Sequence, residues 1–383
     1  DSNGQGDFHS SVHSGYLALC SANLPEPTIG PNSDTRSVNH FGTLTYTGNG
    51  TGSGSTNNIR SGDVSNGVGG EIDFKPDFTW VKSRSNSQNH NLFDSNRGAG
   101  IVLYSQLELN EADTSAFFTD FQTNGFDLAQ NGGDTNFNNY TYVAWNWKAN
   151  GGTTSSNTDG NITTTVQANT TAGFSVITYT GQDAATTIGH GLGAKPAFII
   201  VKQRTDDNTE WIVGHQGLSS DAFGDNKFLK LEEATSVYTN SAVFGATPTT
   251  SAIQLTTTTA ANLTAASKNF VAYCFAEIEG YSRFGSYEGT AATDGAFVFT
   301  GFRPQWILYK NMDSSGDWEL VDTVRNPEND ASLLKLEPNN DGTDSGRVMD
   351  ILSNGFKFRN GNSNGNTGHT YVYVAFAEHP FKF

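Results

Sequence analysis

The chain has 383 residues, 35% hydrophobic and 16% charged, with a net charge of −17 and 26 Phe, 13 Tyr and 6 Trp. So many aromatics with so few charges exclude a disordered chain, and an acidic balance without any Lys/Arg cluster excludes a sheath around nucleic-acid phosphates. No apolar run approaches the ~18 residues of a membrane helix, and two cysteines, Cys20 and Cys274, are too few for a disulfide scaffold.

Residues 1–14 are polar and lack periodicity. The apolar run Gly15-Tyr16-Leu17-Ala18-Leu19-Cys20 predicts a strand, and Pro25 and Pro27 then enforce an extended connector. We read 1–38 as the end of a preceding domain plus a proline-rich linker. The opening Asp1-Ser2-Asn3-Gly4, without Met, reads as an interior cut.

From residue 39 the chain repeats itself three times. Each copy opens with alternating apolar and polar residues ending in glycine, at 40–48, 173–181 and 283–289, the last with a companion run at 296–301. A proline-led run follows: Lys75-Pro76-Asp77-Phe78-Thr79-Trp80-Val81-Lys82, Lys195-Pro196-Ala197-Phe198-Ile199-Ile200-Val201-Lys202 and Arg303-Pro304-Gln305-Trp306-Ile307-Leu308-Tyr309-Lys310. Proline at a strand's first position removes no ladder bond, and the terminal lysine is expected to reach solvent. Next come Asp94 with Arg97 and Asp322 with Arg325, expected as structural ion pairs at strand ends. Copy two lacks both, reading Trp211-Ile212-Val213-Gly214-His215.

Asn124-Gly125 and Asn354-Gly355 predict hairpin turns; copy two has a Thr-rich β-prone stretch at 249–259 instead. Each copy closes on an aromatic, Val-Ala and an aromatic: Tyr142-Val143-Ala144-Trp145, Phe270-Val271-Ala272-Tyr273 and Tyr373-Val374-Ala375-Phe376. Cys274, on the second of these strands, reads as a small buried thiol. The only stretch suited to a short helix is 110–121. Runs of Gly, Asn, Ser and Thr at 150–159 and 360–368 read as a linker and a long loop.

The pattern predicts an all-β chain of three tandem antiparallel β-sandwich repeats, at 39–150, 151–282 (with its linker) and 283–383. No nucleophile elbow or zinc-protease motif occurs. His190, between glycines, reads as part of a loop needing positive φ. Asp341 and Asp344 lie in an Asn/Asp/Gly turn with hard oxygen ligands of the kind Ca²⁺ takes, although the twelfth-position Glu of an EF-hand is missing. The carboxylate pairs Asp206-Asp207, Glu232-Glu233 and Glu277 with Glu279 invite a glycosidase reading, but repetition without a shared partner argues for scaffold. Trp145 and Trp147 share a strand face and are candidates for stacking on sugars. Phe358, Arg359, Asn360 and His369 flank the third copy's long loop and are the other ligand-binding candidates.

Several segments resemble structural proteins of tailed phages, of marine and cyanophage type. They are the run from Gly15 through Cys20 and Pro27 to Ile29, which resembles the end of a SPRY-like, concanavalin A-type domain; Tyr142-Val143-Ala144-Trp145-Asn146-Trp147-Lys148-Ala149-Asn150-Gly151-Gly152; Ile188-Gly189-His190-Gly191-Leu192-Gly193; and Val271 through Glu277 to Ser282. The resemblance implies concanavalin A- or jelly-roll-like sandwiches and a virion location on tail or capsid, outside the cell. It implies a non-catalytic tail fibre or adhesin that recognises a host-surface glycan or protein beside other virion proteins, homotrimeric by analogy with fibres. No cofactor beyond a Ca²⁺ ion, no nucleic acid and no membrane insertion are expected. A capsid decoration protein, a polysaccharide depolymerase and a non-viral adhesin or filament subunit are the alternatives.

Overall fold

The computed structural model describes residues 35–379, apart from 53–54, 220–222, 224–226, 240–242, 258–262, 330–332 and 362–363; before residue 35 it describes 5, 6, 10, 13, 17, 18, 23 and 28–30. The expected strand at 15–20 and Cys20 lie outside these, apart from 17 and 18. The chain is all-β, and among the described residues the strand ladders are antiparallel, with one isolated parallel bridge between Ile162 and Ile188.

Three large sheets share one central strand order, which runs opening, closing, proline-led and third strand. The opening strands are Phe41–Thr47, Phe174–Thr180 and Ser282–Glu288. The closing strands are Thr141–Trp147, Asn269–Ala276 and Thr370–Ala377. The proline-led strands are Phe78–Ser83, Pro196–Gln203 and Pro304–Asn311. The third strands are Asn91–Asp94, Trp211–His215 and Glu319–Asp322. Each opening strand ends where a glycine passes a carbonyl. A Cβ on Gly48, Gly181 or Gly289 would lie 2.2, 2.2 or 2.0 Å from the oxygen of Phe137, Ala265 or Thr367.

Side-chain alternation divides each large sheet between two cores. One face of all three feeds a single shared cluster, with Phe78, Trp80, Trp145 and Trp147 from the first copy. Phe198, Ile200, Tyr273 and Phe275 come from the second, and Trp306, Leu308, Val374 and Phe376 from the third. The rings meet across copies: Trp147 lies edge-on to Trp306 at 5.6 Å, and Phe41 stacks on Phe376 at 5.0 Å. The other faces carry private cores. A small sheet of Thr56–Arg60, Gly125–Ala129 and Phe118–Gln122 covers the first copy. Thr186–Gly189 with Ala252–Leu255 covers the second, and Phe297–Phe299, Gly355–Phe358 and Met349–Leu352 the third. With both faces covered, the proline-led strands are buried at every position.

Several expectations change. Residues 110–121 form no helix: Ala112–Asp113 and Phe118–Gln122 are strands, because sheet pairing captures the segment. The 150–159 run contains a strand, Ser155–Asn157, that extends the second large sheet. The third closing strand also aligns differently. Val143, Val271 and Val372 sit opposite the three lysines Lys82, Lys202 and Lys310, so Tyr371, not Tyr373, matches Tyr142 and Phe270. A slip of two residues keeps every side chain on its own face, so periodicity could not detect it.

Candidate functional site

The chemistry-bearing side chains converge at the three junctions between large sheets. Each junction carries the same backbone bond: Glu111 N to Arg204 O at 3.2 Å, Asp344 N to Arg84 O at 3.0 Å, and Val237 N to Met312 O at 3.0 Å. Between the first and second sheets, Asp94 at the end of a third strand accepts from Arg97 Nε at 2.5 Å and from the Tyr273 hydroxyl at 2.7 Å. Arg97 also faces Glu111 at 3.6 Å, and Glu111 takes Arg204 at 2.7 and 2.9 Å. The third and first sheets repeat this with other residues. Asp322 accepts from Arg325 Nε at 2.6 Å and from Trp145 Nε1 at 3.0 Å, while Asp344 bridges Arg325 at 2.7 Å and Arg84 at 2.8 Å.

The junction of the second and third sheets is apolar instead. His215 stands at the Asp position, Leu218 at the Arg position, and Val237 and Met312 replace the outer ion pair. Val374 occupies the place of Tyr273 and Trp145 and has no donor to offer. His215 uses the backbone there, bonding the Tyr373 carbonyl through Nε2 at 3.0 Å and accepting from Gly217 N through Nδ1 at 2.9 Å. Burial lowers its imidazole to about 4, so it stays neutral. Charged members are present or absent together, as expected where an unpaired buried charge would cost several kcal/mol.

The three lysines of the proline-led strands do not reach solvent. Lys82, Lys202 and Lys310 are fully buried, because a loop caps each strand end. Lys82 Nζ donates to Ser83 O at 2.8 Å and to Asp341 O of the third copy at 3.1 Å. Lys202 Nζ donates to the carbonyl and hydroxyl of Thr209 at 2.5 and 2.9 Å. Lys310 Nζ donates to Gly316 O at 2.5 Å and to Ala234 O of the second copy at 2.8 Å. Burial lowers all three to about 8. Opposite them stand His90, Trp211 and Trp318. Trp211 Nε1 reaches Tyr104 O at 2.9 Å and Trp318 Nε1 reaches Lys230 O at 2.8 Å, each in the neighbouring copy.

The residues singled out from sequence fall mostly inside this framework. Trp145 and Trp147 are buried in the shared cluster and present no face to a sugar. Phe358 is buried against Tyr287 and Tyr309, so it lines a core, not the loop surface. Arg359 is exposed and paired with Asp350 at 2.5 Å. Asn360 lends its carbonyl to Asn366, which pins the long loop through further bonds to Thr290, Ala292 and Ala296. His369 Nδ1 lies 3.1 Å from Asn311 and 3.0 Å from Ser314. Asp344 is consumed by its two arginines, and Asp341 engages Lys82 through its backbone, so the pair is not a preformed cation site. His190 is buried just before Gly191 and Gly193, both at positive φ, and Cys274 is a buried free thiol.

Carboxylates do converge elsewhere. Glu108, Glu232 and Glu233 bring oxygens within 4.8 Å of one another, burial raises Glu232 to about 8, and Lys230 meets Glu233 at 2.8 Å. Glu319 is also buried, held by Arg347 Nε at 2.6 Å, Lys335, Asn364 and the Tyr309 hydroxyl. One surface cleft of about 500 Å³ lies beside the third small sheet, lined by Glu277, Glu279, Ser282, Arg283, Phe299 and Thr300 among others. Sequence reasoning placed Phe297 and Phe299 on a companion strand without noting that both are exposed.

A family model described as a domain of unknown function, DUF7483, matches residues 36–380, and the chain belongs to that family. No curated protein matches it.

Proposed function

We propose that this member of the DUF7483 family is a non-catalytic virion appendage module of a tailed phage, a fibre-borne adhesin that presents a rigid body to the host surface. We read its three sheet pairs as three copies of a concanavalin A-like sandwich. One observation carries the proposal: the acids, arginines, lysines and histidine at the junctions are spent on closing three sheets around one core, leaving an acidic, Thr/Asn/Gly-rich exterior. Such a body suits display and contact outside the cell. The phage-like segments around Tyr142, Ile188 and Val271 support the virion location. Purified chain should block adsorption of the phage to susceptible cells, and no block at saturating concentration would refute the adhesin role.

A capsid decoration role is the second reading, favoured by one feature. A single chain already surrounds its own central core and needs no other copy to cover those faces. Light scattering separates the two: an SDS-resistant trimer supports a fibre, and a monomer that labels phage heads supports decoration.

A further inference from the structure

We propose that Phe297, Phe299 and the adjoining cleft form a binding platform for a neutral pyranose chain. This rests on the host-surface reading above and assigns its contact site and ligand class. The two rings project from one face of the edge strand Phe297–Phe299, 46% and 57% exposed, while Val298 between them enters the private core.

The chain supplies its own control for this placement. Three core residues hold equivalent register in the small sheets: Ile59 opposite Phe126, Ile188 opposite Ile253, and Val298 opposite Phe356. All six are buried. The neighbours on the opposite face are Asn58 and Arg60 in the first copy, Thr187 and the buried Gly189 in the second, and Phe297 and Phe299 in the third. The scaffold therefore forms without aromatic side chains at these positions, and the two phenyl rings leave about half of their surface in water. Their use lies in what they contact.

The surroundings define the ligand. Opposite Phe299 is Gly355, where a Cβ would lie 2.0 Å from Val298 O and 3.2 Å from the Phe297 ring, so no side chain screens the rings at that position, while Lys357 stands opposite Phe297. Beyond Phe299 the surface falls into the cleft of about 500 Å³. Glu277 there pairs with Arg283 at 3.1 Å and accepts from Phe284 N at 3.1 Å. Glu279 is exposed and makes no hydrogen bond or ion pair among the described residues. At the other end, Lys357 is closed on Asp294 at 2.8 Å and Arg359 on Asp350. Phenyl faces match the C–H face of a pyranose, and carboxylates accept from its hydroxyls. Two acids against one arginine, on a chain of net charge −17, repel uronates and phosphates. A neutral sugar chain combines the apolar faces and hydroxyl donors that this surface complements.

The test uses the full chain with neutral gluco-, manno- and galacto-tetraoses and a uronate tetramer as probes, read by saturation-transfer NMR and calorimetry. At least one neutral probe should bind and the uronate should not. Phe297→Ser with Phe299→Ser should weaken binding at least tenfold with the fold retained, since the other copies carry no aromatic residue there; Glu279→Gln should weaken it less, and Asn58→Ser should leave it unchanged. Binding of no neutral probe, or equal binding by the double variant, overturns the platform. An adsorption block that survives the double variant also overturns it, in favour of a protein receptor elsewhere, while leaving the host-surface reading intact. Sugar binding without any block sustains the platform and defeats that reading instead.

Discussion

The Tyr273 hydroxyl donates to the Asp94 carboxylate across 2.7 Å, joining the closing strand of one sheet to the third strand of another. Trp145 does the same for Asp322 with an indole nitrogen at 3.0 Å. The two contacts share a position but not a chemistry, so the position selects for a donor. Where His215 replaces the acid, Val374 replaces the donor.

Tyr273→Phe should destabilise the fold by about 1.5–3 kcal/mol, the range for a hydrogen bond to a charged group. Asp94→Ala should lose about 3–5 kcal/mol, because Arg97 is left buried beside one distant acid. His215→Asp, which copies the acid without its arginine, should lose a similar amount. Urea denaturation monitored by tryptophan fluorescence measures all three.

The buried lysines predict a pH signature. Their folded values near 8 lie below the ordinary 10.5. Between those values the unfolded chain binds more protons, so each lysine's contribution to stability rises with pH across that window. The stability of wild type relative to Lys82→Met should therefore increase from pH 8 to 10.5 and stay level below 8. A constant difference across that range would show that Lys82 is not desolvated.

Acid should act through the histidines. His40 and His215 are lowered to about 4, chiefly by burial. The unfolded state takes up their protons first, so stability should fall as pH drops from 6.5 towards 4 and level off below. For His215 the loss is about 3 kcal/mol at most. His215→Gln should remove its share of the slope in the same denaturation series.

Glycine substitutions should separate close approach from mere flexibility. Gly48→Ala, Gly181→Ala and Gly289→Ala each drive a methyl into a carbonyl and should lose about 3 kcal/mol or fail to fold. Gly52→Ala meets nothing within 4 Å and should change Tm by no more than a surface substitution does.

Much of the framework was legible because strand period and turn chemistry are local. The proline-led runs, the Asn-Gly turns and the Asp94–Arg97 and Asp322–Arg325 pairs all announce themselves within a few residues. What stayed hidden depends on partners more than a hundred residues away. Lys82 reads as solvated until Asp341 is seen closing over it, and Asp344 reads as a candidate cation ligand until Arg84 and Arg325 are seen to meet it. Trp145 looked like a sugar platform because its aromatic face could not be assigned to core or solvent from one copy alone. Phe297 and Phe299 were hidden differently: alternation alone does not say which face of an edge strand is wet, and the contrast with Asn58 and Arg60 becomes visible only in register.

The contact of Phe41 with Phe376, reinforced by Ser37 Oγ donating to Glu378 O at 2.5 Å, seals the first strand against the last. A ribosome delivers Ser37 and Glu378 at positions 341 apart. Until the final strand emerges, the inner aromatic faces of the earlier sheets lack their third wall, and a nascent chain carries them uncovered. Premature termination within the third copy should therefore yield a sticky product that aggregates or is degraded, whereas a circular permutant joining the sealed ends should retain the closed body.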